Sequence, residues 1–175
     1  LVPPEQLHPD PDSPTTLKCS TKTEQINLQS QRIVLTAGAG NRALLEQLGH
    51  NQPAMQLRPL HMLVLRGKLP PLFAHCLGAQ ATPRLTITSY PVSDQEQVWY
   101  VGGQLAEDGV ELTAAQQIES AKRELQATMP WVDFSHVSWH SFLIERAEYQ
   151  VEQGRRPDSC HLHSADGVIT AWPTN

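Results

Sequence analysis

The stretch Arg32-Ile-Val-Leu-Thr-Ala-Gly-Ala-Gly-Asn41 decides the fold of this 175-residue chain. Its apolar run Ile33–Leu35 is rich in branched residues and has the character of a short buried strand. Small residues follow at positions 37–40, and Asn41 can cap a helix that continues to Leu48 and stops at Gly49. The stretch therefore predicts a strand, a glycine turn and a helix.

The chain before this stretch is first proline-rich and then strand-like. Residues 1–14 hold five prolines, which remove backbone donors, so we expect a loop or linker there. Leu17–Thr21 and Glu24–Leu28 have the character of short strands joined by a polar turn. Together with residues 32–36 they predict a small meander that ends in a buried strand.

The chain after this stretch alternates between apolar runs and turns. A helix is predicted over Leu112–Met129, because its apolar residues follow helical spacing, Thr113 can cap it and Pro130 closes it. The remaining runs predict a largely antiparallel set of strands: Met55–Arg66, Leu72–Leu77, Arg84–Tyr90, Val98–Gly103, Phe134–Arg146 and Gly167–Trp172. The pattern is typical of an α+β protein.

Composition excludes several classes of protein. Hydrophobic residues make up 39% and charged residues 18% of the chain, and the mean hydropathy is −0.37. These values are typical of a globular protein, and no apolar run is long enough for an integral membrane segment. The net charge is −5 and the cations are scattered, so we expect no nucleic-acid partner.

The three cysteines predict the redox environment of the protein, and its first residues predict whether it is part of a longer chain. Cys19, Cys76 and Cys160 are widely spaced, which argues against a disulfide scaffold and a zinc ribbon and predicts a reducing cytoplasm. The chain opens with Leu1 and Val2 rather than an initiator methionine or a signal sequence. We therefore expect it to be an excised piece of a longer protein.

The glycine turn leaves three interpretations open. Gly38, Gly40 and Ala43 fit the G-x-G-x-x-A pattern of a dinucleotide-binding turn. An NAD-type site also requires an acidic residue near the end of the next strand, whereas that strand here ends at Arg66. An NADP-linked site that uses Arg66, a purely structural turn and a flavin-side turn all remain possible at this point.

The order of the motifs resembles one enzyme family. Arg32–Asn41 is similar to the strand and turn that return to the nucleotide-binding sheet in D-amino-acid-oxidase-like FAD-dependent oxidoreductases. The later segments follow in that family's order: Arg58–Val64, Val98–Gly103, the helix ending at Met129-Pro130, Gly154–Pro157 and Gly167–Thr174. The last segment is similar to glycerol-3-phosphate dehydrogenases, although Trp172-Pro173 replaces their glycines, and the Gly-x-Arg-Pro turn is similar to glycine oxidases.

The resemblance implies an architecture and a cofactor. It implies a mainly antiparallel substrate-binding sheet packed by helices over residues 53–154. It further implies an incomplete FAD-binding α/β domain made of residues 1–52 and a truncated return segment, 155–175. The FAD contacts implied in the intact protein are Ala37, Gly38, Ala39, Gly40, Trp172, Pro173 and Thr174. The chain alone lacks the family's N-terminal phosphate loop, so we expect it to bind FAD poorly or not at all.

The resemblance also implies a reaction. The intact protein would oxidise a small anionic alcohol or amine, such as glycerol phosphate or an amino acid, by hydride transfer to the flavin. Arg156 would hold the substrate's anionic group, Arg58 would assist and His61 would exchange a proton. For each residue a plain alternative stays open: a solvated pair of Arg155 and Arg156, a salt bridge for Arg58 and a structural histidine for His61.

Other functions are kept as alternatives. A non-catalytic α+β binding domain is the main rival, and an NADP-linked reductase is the second. No physiological metal site is predicted at the two histidine-containing groups, which are His136 with His140 and Cys160 with His161 and His163. The electron acceptor is left open, and the expected location is cytoplasmic or peripheral at the inner membrane.

Overall fold

The structure is a computed structural model that describes residues 7–10, 12–79, 82–152, 156–157 and 159–172. It divides into two compact units. The first unit comprises Leu1–Arg58 and Arg146–Asn175, and the second comprises Pro59–Glu145. The boundaries between the units fall inside strands, whereas the predicted domain boundaries lie between residues 52 and 53 and between residues 154 and 155. The assignment of cofactor and substrate roles to the parts of the chain remains a prediction.

The described residues form strands and helices in a mixed order. The strands are β1 (Leu7–Asp10), β2 (Ser13–Ser20), β3 (Gln25–Gln29), β4 (Ile33–Leu35), β5 (Met55–Gly67), β6 (Phe73–Cys76), β7 (Leu85–Ser93), β8 (Glu96–Gly102), β9 (Ser138–Tyr149), β10 (His161–Ala165) and β11 (Val168–Trp172). The helices are α1 (Asn41–Gln47), α2 (Gln104–Asp108) and α3 (Ala114–Thr128). The predicted α+β fold with mainly antiparallel sheets is confirmed.

A three-stranded sheet of order β10-β11-β4 organises the first unit. β11 pairs with β4 in parallel and with β10 in antiparallel register. The apolar side chains of α1 pack on one face of this sheet with those of β4 and β11. The opposite face is apolar and open, since Val34 is 57% and Leu162 67% exposed.

The meander of the first unit differs from the sequence-based prediction. β1, β2 and β3 form an antiparallel sheet of their own, whereas β4 pairs with β11 instead. Residues 7–10 form a strand where a loop was predicted. The proline at position 9 is compatible with this strand because β1 is an edge strand, where a missing N–H costs little.

The second unit contains most of a five-stranded sheet of order β6-β7-β8-β5-β9. Alternate residues of these strands, among them Leu63, Leu65 and Trp99, form its core with Leu125 of α3. The predicted cap of α3 is present: Thr113 and Gln116 make a reciprocal capping box. None of the helices in the described ranges is long and apolar enough to cross a bilayer.

Candidate functional site

The predicted cofactor-contacting turn lies where β4 and β11 end. Because these two strands are parallel, their carboxyl ends meet at one edge of the sheet, next to residues 37–40. Gly38 adopts a φ of +59°, a left-handed conformation that strains other L residues. No atom lies within 4 Å of the position that a Cβ on Gly38 would take. The backbone at Gly38 is therefore open to close approach by a ligand.

Two side chains fix this turn to β11. The Asn41 amide donates from Nδ2 to the Ala171 carbonyl oxygen over 3.1 Å, and its Oδ1 accepts from the Ala37 N–H at 2.7 Å. The indole Nε1–H of Trp172 donates to the Gly38 carbonyl oxygen over 3.2 Å. Asn41 and Trp172 are both fully buried. The turn is thus held in place before any ligand arrives.

Asn41 plays a different part from the predicted one. The N-cap of α1 is Gly40, and no side-chain hydrogen bond caps the helix. The Asn41 side chain lies in the buried bridge to Ala171 instead. The expectation of an asparagine cap was wrong because the helix begins at Asn41 itself and the side-chain oxygen that a cap would use accepts from the Ala37 N–H instead.

An aromatic stack lies beside Trp172. His161 pairs with Trp172 across β10 and β11, and its ring stacks on Tyr149 with a centroid distance of 3.6 Å and an interplanar angle of 6°. Burial, followed by the charge of His163, lowers the pKa of His161. The lowered pKa favours the neutral imidazole, and the His161 ring also lies 6.5 Å from the Trp172 ring.

Arg58 belongs to a buried ion-pair cluster of the first unit. Its Nε and Nη2 donate to the two carboxylate oxygens of Glu148 over 3.1 and 3.0 Å. Arg146 Nε lies 2.9 Å from Glu148 Oε1. Burial raises the pKa of Glu148, but the hydrogen bonds and charge of Arg58, together with the charge of Arg146, outweigh it and leave that pKa below its ordinary value.

This geometry supports the salt-bridge alternative for Arg58. Its guanidinium fork is bidentate on a fully buried carboxylate and is itself only 14% exposed. A substrate anion would have to compete with Glu148 for the same donors. A role for Arg58 in substrate binding remains an untested prediction.

His61 lies inside the second unit with both ring nitrogens engaged. Nδ1 is 2.9 Å from the Gly109 carbonyl oxygen and Nε2 is 3.0 Å from the Ser141 hydroxyl. A carbonyl oxygen only accepts, so Nδ1–H donates to Gly109. Gln117 additionally donates to the His61 carbonyl oxygen over 2.8 Å. These bonds favour the structural alternative, and a proton-transfer role stays a prediction.

The structure gives less information on the other predicted residues. Arg156 is half-buried and follows a segment outside the described residues, and Pro173 and Thr174 also lie outside them. Arg66, which the NADP alternative requires, donates to Glu96 over 2.8 Å at the surface of the second unit. Within the described ranges, no three His, Cys, Asp or Glu side chains converge as a metal site would need.

Two features of the site escaped sequence analysis. Glu148 was not singled out, because its importance depends on two arginines that reach it only in the folded chain. β10 was not predicted, although Asp166 and Gly167, with φ of +50° and +80°, form the turn of a hairpin. The dipeptide Asp-Gly is a strong hairpin signal, so this strand could have been predicted.

Comparison with known proteins places these features in a wider context. PA4991 of Pseudomonas aeruginosa, a probable FAD-dependent oxidoreductase, is 47% identical to this chain over 149 residues, which are 84% of the chain and 38% of that protein. Its crystal structure matches with a TM-score of 0.77 and 42% identity over 98% of this chain and 47% of the other. The chain resembles part of an FAD-dependent oxidoreductase. It spans less than half the length of that relative.

Two other comparisons add little. Iminodiacetate oxidase from Chelativorans sp. BNC1 matches with a TM-score of 0.46 and 17% identity over 95% of this chain and 42% of the other, a similarity too weak for any functional conclusion. No protein-family model matches the chain. The resemblance to FAD-dependent oxidoreductases is thus confirmed, whereas the glycerol-3-phosphate dehydrogenase and glycine oxidase subfamilies are not distinguished.

The glycine turn fits the approach of a flavin nucleotide. The space above Gly38 is open, so a flat or extended group can lie against the backbone there. The turn is anchored from behind by Asn41 and Trp172, so contact with a ligand needs no rearrangement of β4 or β11. Contact of Ala37, Gly38, Ala39, Gly40 and Trp172 with the cofactor remains a prediction, and the fully buried Trp172 supports the turn from behind.

Proposed function

We propose that this chain is the part of an FAD-dependent oxidoreductase that supports the cofactor with the Gly38 turn of its first unit and holds the substrate's anionic group with Arg156 of the same unit. The observation that carries the proposal is the open, anchored Gly38 turn in a chain 47% identical to a probable FAD-dependent oxidoreductase. The open apolar face of the β10-β11-β4 sheet gives further support. A sheet with parallel pairing is normally covered on both faces, so this one fits a larger nucleotide-binding domain.

The proposed substrate is a small anionic alcohol or amine. Arg156 would grip its carboxylate or phosphate, because a guanidinium offers two parallel donors to such a group. The flavin, when bound, supplies the acceptor for the hydride that leaves the substrate. The chain would orient the substrate carbon toward the flavin, and the five-stranded sheet would exclude water from the reaction.

Within the first unit, the residues have separate tasks. Asn41 and Trp172 hold the turn, and Gly38 leaves room for the cofactor. The Arg58–Glu148–Arg146 cluster ties β5 to β9 within this unit. Because the carboxylate is buried and paired, we assign this cluster to the stability of the cofactor-supporting unit rather than to the chemistry.

The experiment compares two glycines in the full-length protein. Gly38 and Gly49 both have positive φ, +59° and +76°, and neither has an atom within 4 Å of the position that an added Cβ would take. Alanine at either position introduces a similar strain of roughly 1–2 kcal/mol, but only Gly38→Ala places a methyl group against the proposed cofactor. FAD affinity is measured by fluorescence titration of the apoprotein.

The two variants are expected to behave differently. Gly38→Ala should weaken FAD binding by about tenfold or more, which corresponds to about 1.4 kcal/mol, while Gly49→Ala should leave it unchanged. Equal FAD affinity in the two variants would overturn the cofactor role of the turn. A colourless full-length protein that takes up no added FAD would favour the rival, a non-catalytic binding domain.

A further inference from the structure

β3 is an exposed edge strand of the first unit. In the sheet of order β1-β2-β3, its one neighbour among the described residues is β2. All five residues of Gln25–Gln29 are exposed, including the apolar side chains of Ile26 (41%) and Leu28 (50%). The strand carries no charge and no proline. A strand edge of this kind presents unpaired N–H and C=O groups and can pair with another strand.

The opposite edge of the same sheet is protected against such pairing. β1 contains Pro9, which lacks a backbone N–H, and a bulge interrupts its register between Pro9 and Asp10. Asp10 also makes an ion pair with Lys18 over 3.0 Å. Proline, bulges and charged residues are devices by which proteins keep sheet edges from pairing. The residues of β3 provide none of these devices, so the two edges differ in their capacity to take up another strand.

The register with β2 shows which backbone groups of β3 point outward. The Ser30 N–H donates to the Thr15 carbonyl oxygen over 3.0 Å, so this pair is hydrogen-bonded. Hydrogen-bonded and non-hydrogen-bonded pairs alternate along an antiparallel ladder. Counted from this pair, the backbone groups of Ile26 and Leu28 point to β2. The backbone groups that point away from β2 belong to Gln25, Asn27 and Gln29.

We propose that β3 pairs with β3 of a second copy of this chain, in antiparallel orientation about a two-fold axis at Asn27. In this register Asn27 lies opposite Asn27 of the second copy, and Gln25 lies opposite Gln29. All three outward-pointing residues then form hydrogen-bonded pairs, each of which exchanges two N–H···O bonds. A shift by two residues in either direction would leave one of the three without a partner in the strand.

The side chains of β3 are complementary to themselves in this register. Polar and apolar residues alternate symmetrically about Asn27, so Ile26 of one copy lies opposite Leu28 of the other on one face. The amide side chains meet on the other face. Cross-strand pairs with Cβ atoms about 4.5–5.5 Å apart stabilise antiparallel sheets. A two-fold contact requires such self-complementarity, and this symmetry favours a second copy over an unrelated extended peptide.

The charges near β3 also favour this pairing. Glu24 precedes the strand and Arg32 follows it, and neither makes an ion pair within the part of the chain that the structure describes. The two-fold axis brings the Glu24 end of each strand to the Arg32 end of the other. Lys18 lies opposite Asn27 on β2 and is already paired with Asp10. Three strand spacings, roughly 14 Å, would separate it from Lys18 of the second copy, which exceeds the Debye length of about 8 Å.

The proposed contact is short, so we expect a weak dimer. A standard interface buries about 1,600 Å² and involves about 20–30 residues on each side, many more than β3 contains. Association of the full-length protein is therefore measured by sedimentation velocity between about 1 μM and 1 mM, the range of a weak complex. The pairing does not depend on the proposed oxidoreductase function.

Asn27→Pro blocks the edge without disturbing the sheet. Because the Asn27 N–H points away from β2, a proline there removes no hydrogen bond within the chain. The unmodified protein should form dimers as its concentration rises, and Asn27→Pro should weaken this association by about tenfold or more. Circular dichroism establishes that the variant is folded.

Charge variants at Asn27 test the register. Asn27→Lys and Asn27→Asp each place like charges opposite one another on the axis, whereas a mixture of the two variants places opposite charges there. Each variant alone should associate about tenfold or more weakly, and the equimolar mixture should restore association. His8→Lys and His8→Asp are the matched controls, because the exposed His8 is the other neighbour of Lys18, on the protected edge. They should leave association unchanged.

Three sedimentation results would overturn the proposal. The first is a protein that stays monomeric over the whole concentration range. The second is association that persists in Asn27→Pro, since another surface would then be responsible. The third is a mixture of the Asn27 charge variants that associates no better than either variant alone, or an equal effect of the His8 variants.

Another segment of the full-length protein is the competing occupant of this edge. Amide hydrogen exchange separates it from a second copy. The outward N–H groups of Gln25, Asn27 and Gln29 should be protected at high protein concentration and should exchange rapidly after dilution. Protection that does not change on dilution would show that the edge is covered within one molecule, and the proposal would be wrong.

Discussion

Trp172 and Gly38, 134 residues apart in the chain, are joined by a hydrogen bond of 3.2 Å from the indole Nε1–H to the carbonyl oxygen. The bond links the end of β11 to the turn after β4. Since the two strands are parallel and adjacent, this contact and the Asn41–Ala171 hydrogen bond join the strand ends at the edge of the sheet where the cofactor is proposed to lie. The position of the turn therefore depends on a residue from the far end of the chain.

Trp172→Phe tests this dependence. The phenyl ring keeps most of the packing but cannot donate to Gly38, so the free energy of unfolding should fall by about 1 kcal/mol and FAD affinity should fall with it. Trp99→Phe is the control, because it removes an equivalent indole bond to Pro70 in the second unit. It should reduce stability while FAD affinity stays the same. Equal FAD affinities in the two variants would contradict the link.

The buried carboxylate of the first unit should give a pH-dependent stability. Arg58 and Arg146 hold the pKa of Glu148 below its ordinary value of 4.5 despite its burial. A depressed pKa in the folded state contributes stability that is present above pH 4.5 and is lost as the pH falls through the folded pKa. Glu148→Gln should therefore cost about 3 kcal/mol at pH 7, and the difference from the unmodified protein should shrink below pH 4.5.

Denaturant unfolding at pH 7 and between pH 5 and pH 3 measures this effect. The control is Glu96→Gln, which breaks the exposed pair with Arg66; exposed ion pairs contribute little. A loss in Glu96→Gln as large as in Glu148→Gln, or a Glu148→Gln difference that does not change with pH, would show that the buried cluster is not the source of the stability.

Arg156→Ala tests the substrate anchor in the full-length enzyme. Loss of a charged bidentate contact should raise the Michaelis constant by about tenfold or more, while the flavin content stays unchanged. Arg155→Ala is the neighbouring control and should leave the Michaelis constant near its original value. An unchanged Michaelis constant in Arg156→Ala would refute the role.

His61→Gln separates a structural histidine from one that transfers a proton. Because both ring nitrogens are bonded inside the second unit, the variant should lose about 1–3 kcal/mol of stability. The rate of substrate-dependent flavin reduction per folded enzyme should change little. A fall in that rate of about 100-fold or more, the size expected for a lost general acid or base, would restore the catalytic assignment.

Sequence analysis predicted the local structures well because their signals are local. The strand at Ile33–Leu35, the glycine turn and the helix that follows were predicted from periodicity and turn chemistry. The capping box of α3 was likewise visible as Thr113 at the start of a periodic run. These features depend on residues within about one or two turns of each other.

Features that depend on distant partners were missed. The pairing of β4 with β11 instead of β3, the amide bridge of Asn41 and the ion pairs of Glu148 each need a partner far away in sequence. A single sequence carries no local mark of such partners. Gly38 and Trp172, both named as cofactor contacts from the family resemblance, lie within hydrogen-bonding distance of each other, and their contact with the cofactor stays a prediction.

A crystal structure of the full-length protein purified with FAD tests the central claim most directly. The account predicts that the nucleotide lies in van der Waals contact, within about 4 Å, of the Gly38 backbone, with the Trp172 hydrogen bond intact behind it. A nucleotide bound elsewhere, or a saturated crystal in which the space above Gly38 is filled by another part of the chain, would contradict it.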